Sequence, residues 1–206
     1  MGGLWEQYDV TEVASPIAWQ RDPSLVLRFY NERRKALIEA EPNSAHRDIA
    51  ALEAHFDVHI VTQNVDNLHE RAGSSKVLHL HGELMKARCT VNSDDVYELD
   101  HWELKEGDVS RNGYQLRPHI VWFGESVPAM DQAVPIVNGA DILVVIGTSL
   151  NVYPAAGLIH YVKQGTAVYV IDPGEPTGIG SLDVTFINKI ATQGMKELKS
   201  YIYSTK

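Results

Sequence analysis

Apolar positions recur at helical spacing in the first quarter of the chain and in unbroken β-branched runs further on. Asp22-Pro23 offers a helix N-cap followed by proline at the first helical position, where its missing N–H costs nothing and its φ is already helical. Leu25, Val26, Phe29 and Leu37 then fall near the helical period, which predicts a helix running to about Ala40. Ser44 is expected to open a second helix with Ile49, Leu52 and Phe56 on one face, ending near "HFD". "VHIVT" follows as a short run suited to a buried strand.

Downstream, "DILVVIG" at 141–147 and "AVYVID" at 167–172 are the strongest buried-strand signals, each expected to follow a helix and each ending in turn-forming residues. This alternation predicts an α/β fold with a parallel sheet. The polar stretch 86–117, with "NSDD" and "RNGYQ", reads as hairpins or loops outside that sheet, a small inserted module on a single domain spanning 1–206. In open parallel sheets ligands gather at the carboxyl ends of strands. There the chain places "TQNVDNLHE", "GTSLNVYP" and "DPGEP".

Composition narrows the function classes. The 206 residues are 44% hydrophobic with four Trp, enough for a real core. No apolar run nears the roughly 18 residues of a membrane span, and the start "MGGLWEQYDV" has no export-signal pattern, so no membrane partner is expected. One cysteine forms no internal disulfide and suits a reducing, cytoplasmic setting. A net charge of −9 with scattered Lys and Arg argues against nucleic acid as partner and leaves lysine-rich protein segments open.

Three local features carry chemistry and each has a plainer reading. "TQNVDN" (62–67) sets amide and carboxylate side chains after a strand, either to cap the short helix expected near Asn67 or to meet a ligand. "GTS" (147–149) lets backbone approach a ligand at Gly147, or simply turns the chain. "VLHLHGELMKARC" (77–89) makes His81 a metal ligand, a packed core residue or a general base. Structural zinc wants four Cys or His in spaced pairs, and Cys89 has no second thiol, so no metal site is expected.

Together "TQNVDNLHERAG", "LHLHGEL", "RPHIVWFGE" and "GTSLNVYPAAGL", in that order, resemble the sirtuin family of NAD-dependent protein-lysine deacylases, from about Gly3 to the C-terminus. The resemblance implies a Rossmann-like parallel sheet with helices on both faces plus a small inserted module. NAD is the implied cosubstrate, and acyl-lysine proteins or peptides are the substrates. Nicotinamide and O-acyl-ADP-ribose are the implied products, made by a protein expected to act as a monomer.

Residue by residue, the resemblance makes Gln63, Asn64, Val65 and Asp66 part of the NAD ribose and nicotinamide pocket, with Asn64 also catalytic. His81 becomes the catalytic base that takes a proton from a ribose hydroxyl after nicotinamide leaves, a task suited to an imidazole. Gly147, Thr148, Ser149, the turn Asp172-Pro173-Gly174 and Ala191 fall to the adenosine half of NAD. Val121, Phe123, Gly124 and Glu125 match the segment that grips acyl-lysine, and Asn151, Val152 and Tyr153 match the strand beside the substrate peptide.

In "FYNERR", Tyr30 and Arg33 stand at i and i+3, so a phenol and a guanidinium share a helix face. The plainer reading is an Arg packed on a ring. The pair matches the Tyr-x-x-Arg of class III sirtuins, which remove succinyl, malonyl and glutaryl groups. "ASP" (14–16) and "PNSAHR" (42–47) fit that branch.

The chain departs from the family twice. Most members hold the small domain with four Cys around zinc, of which only Cys89 remains, so hairpins and packing are expected to hold it. The sequence also begins after the family's first strand, Gly-Ala-Gly-x-Ser loop and Phe-Arg. On that basis weak NAD affinity is expected, and the alternative to an active enzyme is a module that binds acyl-lysine peptide or ADP-ribose with little turnover.

Overall fold

The computed structural model describes residues 9–148, 153–175, 179–180 and 182–204. The chain forms two compact units, one comprising the residues up to Glu41 with 62–67 and 81–127, the other comprising 42–61, 68–80 and 128–206.

The first unit carries helices α1 (Val10–Val13), α2 (Pro16–Arg21) and α3 (Pro23–Glu39). The Asp22 side chain accepts the Leu25 N–H at 2.9 Å with Pro23 at the first helical position, so α3 starts as its sequence dictates. Val26, Leu27, Phe29, Tyr30, Arg34 and Leu37 form its buried stripe. Arg34 is the exception to an apolar face. Burial pushes its guanidinium down to about 10, and it donates to the carbonyls of Trp102 at 2.7 Å and Leu84 at 3.3 Å and to Asn31 Oδ1. These bonds tie α3 to the stretch 82–104 where a hydrophobic contact would have fixed no direction.

The stretch 86–117 belongs to this unit. It contributes to an antiparallel sheet of order β4-β3-β5, with β3 at Gly82–Cys89, β4 at Val96–Glu98 and β5 at Leu116–Ile120. Leu27, Ala87, Cys89, Leu104 and Leu116 make its core. The Cys89 sulfur takes backbone N–H bonds from Val91 and Asn92 and a bond with Ser110.

The second unit opens with α4 (Ser44–Leu52). The helix opens at Ser44 as expected, with Asn43 as its cap: Asn43 Oδ1 accepts from Ala45 and His46, and His46 Nδ1 accepts the Asn43 N–H at 3.3 Å. A short pair, β1 (Ile60–Thr62) and β2 (Val77–His79), flanks the one-turn α5 (Leu68–Arg71). Then come α6 (Met130–Gly139), β6 (Ile142–Ile146), a 3₁₀ segment Ala155–Tyr161, β7 (Ala167–Ile171), β8 (Val184–Ile187) and α7 (Ala191–Ser204). The element before β7 is thus a helix, as expected, of the 3₁₀ type.

β6, β7 and β8 pair in parallel, Val144 opposite Tyr169 and Tyr169 opposite Thr185. Their unbroken apolar runs have a physical cause, because both sheet faces are covered. Ile142, Val144, Ile146 and Ile171 pack with α4 and α7 through Leu52, Met195 and Leu198, while Leu143, Val145, Val168 and Val170 pack with Ala156 and Ile159 of the 3₁₀ segment. The fold is α/β, a Rossmann-like parallel sheet with helical elements on both faces. Among the described residues no helix is long and apolar enough to cross a membrane.

Candidate active site

His81 sits at the turn between β2 and β3, half-buried, in the same unit as the polar loop 62–67. Its Nδ1 lies 3.2 Å from the Gln63 carbonyl. A carbonyl only accepts, so Nδ1 carries the proton and Nε2 keeps its lone pair. Burial holds the imidazole below its ordinary value, and the bond to Gln63 only partly opposes this. His81 is therefore a neutral imidazole of fixed tautomer at physiological pH, the state a general base requires.

The chain positions this ring by backbone alone. The His81 carbonyl accepts the Val121 N–H at 2.9 Å, and the Val65 carbonyl accepts the Leu84 N–H at 2.7 Å. Gly82 has φ +81, and a Cβ there would lie 2.0 Å from the His119 carbonyl oxygen. The "HG" pair is thus one unit: only glycine lets β3 approach β5 closely enough to present His81.

In the loop, the Thr62 hydroxyl accepts the Asn64 N–H at 3.0 Å, the turn chemistry expected of such residues. Asn64 is exposed, whereas Gln63, Val65 and Asp66 are half-buried. The buried Oδ1 of Asn67 has no hydrogen-bond partner among the described residues, the condition of an atom that a polar ligand or solvent would satisfy.

Tyr30 and Arg33 share a face of α3 in the same unit. Tyr30 is 1% exposed, and its hydroxyl accepts the Trp122 indole N–H at 3.1 Å. Burial pushes the phenol up to about 12, against the opposing charge of Arg33. Arg33 lies 5.6 Å over the Phe29 ring, and burial lowers its guanidinium while the charges of Tyr30 and Asp66 oppose. The plainer reading, an Arg over a ring, is thus met at Phe29.

The segment 121–125 is braced from within the same unit. Phe123 is 60% exposed, and its N–H donates to the Ala14 carbonyl at 3.0 Å; Gly124 has φ +90. The Glu125 carboxylate accepts from both Arg117 nitrogens at 2.7 and 3.0 Å, from Arg88 at 3.1 Å and from the Trp122 N–H at 2.8 Å. Burial would raise the Glu125 carboxyl, but Arg117, the Trp122 amide and Arg88 together hold it below the usual range. Arg117 also stacks 3.3 Å over the Trp122 ring. Glu125 thus fixes the loop's shape.

Sequence reasoning passed over Trp122, Arg117, Arg88 and Arg34. The available signal was Arg117 between Leu116 and Pro118, and Arg34 in helical register with Leu27, Tyr30 and Leu37, where a charge is costly unless paired.

The second unit holds the other candidate positions. Gly147 follows β6 with φ +62, its N–H donating to the Ile171 carbonyl at 2.9 Å, and among the described residues nothing beyond its chain neighbours lies within 4 Å of where a Cβ would stand. Thr148 is next in the chain. Asp172 follows β7, and its Oδ1 accepts the Gly174 N–H at 2.8 Å across Pro173. Gly147 and Asp172 therefore stand at the carboxyl ends of adjacent parallel strands, the position where doubly wound sheets bind nucleotides. Ala191 begins α7 and packs against the core, and Tyr153 is 69% exposed. Ser149, Asn151 and Val152 lie outside the described residues.

Comparison with known proteins bears on this arrangement. The profile of the Sir2 family matches residues 1–154. An NAD-dependent protein deacylase of Bacteroides thetaiotaomicron is 53% identical over 206 residues, covering 98% of this chain and 88% of the relative. One from Helicobacter pylori strain J99 is 49% identical over 197 residues, with 96% and 84% covered. Among solved structures, an ADP-ribose complex of a mutant Sir2 homologue superposes with TM-score 0.88 at 38% identity, covering 100% of this chain and 84% of that one. A Sir2 homologue in complex with NAD gives 0.86 at 39% identity, with 98% and 81% covered.

Proposed function

Because this chain belongs to the Sir2 family, we propose that it is an NAD-dependent protein-lysine deacylase of the class III type. It removes acetyl and preferentially acidic acyl groups, succinyl and malonyl, and releases nicotinamide and O-acyl-ADP-ribose. It acts as a cytoplasmic monomer on acyl-lysine proteins, without nucleic acid or membrane partners.

The observation that carries the reading is His81, a half-buried imidazole whose Nδ1–H is committed to the Gln63 carbonyl. The residues present fit NAD: the unpartnered Asn67 Oδ1 marks the loop 62–67 as ligand-facing, and Gly147 and Asp172 stand at strand ends suited to a nucleotide. When bound, NAD supplies the ribose carbon that is attacked and the nicotinamide that leaves. Gln63, Asn64, Val65 and Asp66 would hold its ribose and nicotinamide, with Asn64 also catalytic. Gly147, Thr148, Ser149, the 172–174 turn and Ala191 would hold the adenosine half. His81 Nε2 takes the proton of a ribose hydroxyl, its tautomer already set. Val121, Phe123, Gly124 and Glu125 grip the acyl-lysine, Glu125 by shaping the loop, and Asn151, Val152 and Tyr153 flank the peptide.

Tyr30 and Arg33 give the acidic preference. A carboxylate at the end of an acyl chain gains two charge-assisted bonds from this pair, whereas acetyl gains none. Substituting Tyr30→Phe and Arg33→Met should cut kcat/KM on succinyl-lysine peptide by roughly tenfold to a hundredfold and leave acetyl-lysine within a few-fold. Equal losses on both peptides would refute the acidic preference. A His81→Tyr variant that keeps its rate would refute the base.

A further inference from the structure

The Trp122 indole N–H donates to Tyr30 Oη at 3.1 Å, with Trp122 2% and Tyr30 1% exposed. An indole is only a donor, and a phenol has one proton. Conjugation keeps that proton near the ring plane, leaving it two orientations, and repulsion from the arriving indole N–H disfavours the one nearer to it. The proton therefore points the other way. No other hydrogen-bond partner of the hydroxyl occurs among the described residues. The phenol, pushed up to about 12, holds this proton across the whole range in which such an enzyme would be assayed. Accepting one hydrogen bond also polarises the O–H and makes it a better donor.

Trp122 is itself held against rotation. Its backbone N–H donates to Glu125 Oε2 at 2.8 Å, its ring centroid lies 3.3 Å from the Arg117 guanidinium, and Trp19 packs at 5.8 Å on centroids. The orientation of the Tyr30 proton is therefore set by a rigid neighbour 92 positions away.

We propose that Trp122 is a specificity-determining positioning residue: by donating to Tyr30 it obliges the Tyr30 hydroxyl to present its proton to an anionic acyl end. This rests on the reading of Tyr30 and Arg33 as the acidic-acyl fork. Acetyl-lysine offers no carboxylate, so the direction of the phenol proton makes no difference to it.

Trp122→Phe keeps an aromatic face for Arg117 and Trp19 and removes the N–H along with part of the buried ring, a loss of packing that would weigh on both peptides alike. Steady-state kinetics at saturating NAD should show KM for succinyl-lysine peptide rising roughly threefold to fivefold, from the lost orientation and the lost polarisation together. KM for acetyl-lysine and both kcat values should stay within about twofold, a split that a loosened loop would not produce. In a Tyr30→Phe background Trp122→Phe should add nothing on succinyl-lysine, because its target is already gone. Independently of any variant's stability, the indole proton resonance of Trp122 in the wild-type protein should shift on adding succinyl-lysine peptide and hold still with acetyl-lysine peptide.

Equal KM increases on both peptides, additivity with Tyr30→Phe, or the same resonance response to both peptides overturns the proposal. If Tyr30→Phe and Arg33→Met discriminate between peptides but Trp122→Phe does not, only this inference falls. If none of the three discriminates, or neither peptide is bound or processed, the acidic-acyl reading falls and takes this inference with it.

Discussion

His81 is a base at neutral pH because its surroundings penalise its charged form. Burial lowers the imidazole and the Gln63 carbonyl only partly restores it, so the folded-state value lies below the ordinary one. Two consequences follow in sign. The unprotonated form persists to lower pH than for a free imidazole, so with His81 as the proposed base the acidic limb of kcat/KM should bend below about pH 6.5. Just under that pH the unfolded chain binds the proton more readily than the folded one, so this residue's contribution to stability falls as pH drops through the window. A pH–rate profile whose acidic limb bends well above that value would contradict the assignment. Gly82 and the Gln63 carbonyl act on the same ring through backbone geometry, which is why the residue-scale chemistry depends on a glycine that carries none.

At the scale of elements, the packing of α7 on β7 decides a sign that propensity alone would get wrong. Gly194 lies inside α7, where alanine would ordinarily stabilise by about 1 kcal/mol. A Cβ at Gly194, however, would stand 2.2 Å from Ile171 Cγ2. Ile171 is fully buried in a central run of the sheet, and its β-branched side chain has little freedom to turn away. Gly194→Ala should therefore destabilise, by about 1 to 3 kcal/mol as overpacking does elsewhere. Urea unfolding would show a lower midpoint with an unchanged slope; a higher midpoint would mean the helix shifts freely on the sheet.

For the molecule as a whole, the antiparallel sheet of β3, β4 and β5 is the part that most family members secure with zinc. Its core of Leu27, Ala87, Cys89, Leu104 and Leu116 and the bonds around Arg34 supply what holds it here. Cys89 is buried, and the bonds it receives from Val91, Asn92 and Ser110 occupy its sulfur. Among the described residues no group of three or more His, Cys, Asp or Glu could hold a metal ion. Elemental analysis of purified protein should thus find far less than one zinc per chain, and chelator should leave the thermal midpoint unmoved; a stoichiometric metal would overturn this.

Local sequence was enough for whatever depends on neighbours in the chain. It determined the start of α3 at Asp22-Pro23, the strands β6 and β7 from their apolar runs, and the motifs around Gln63, His81 and Gly147, because capping, periodicity and turn chemistry act over a few residues. It also placed the opening of α4 at Ser44, while the cap, Asn43, is fixed by its reciprocal bond with His46. The tertiary structure alone decided which polar groups are buried and with whom. Arg34 meets Trp102, Arg117 meets Glu125, and Tyr30 meets Trp122 across 68, 8 and 92 positions. No pattern along the chain encodes such pairs, because each exists only once two elements have closed on each other and excluded water from the charge or hydroxyl between them.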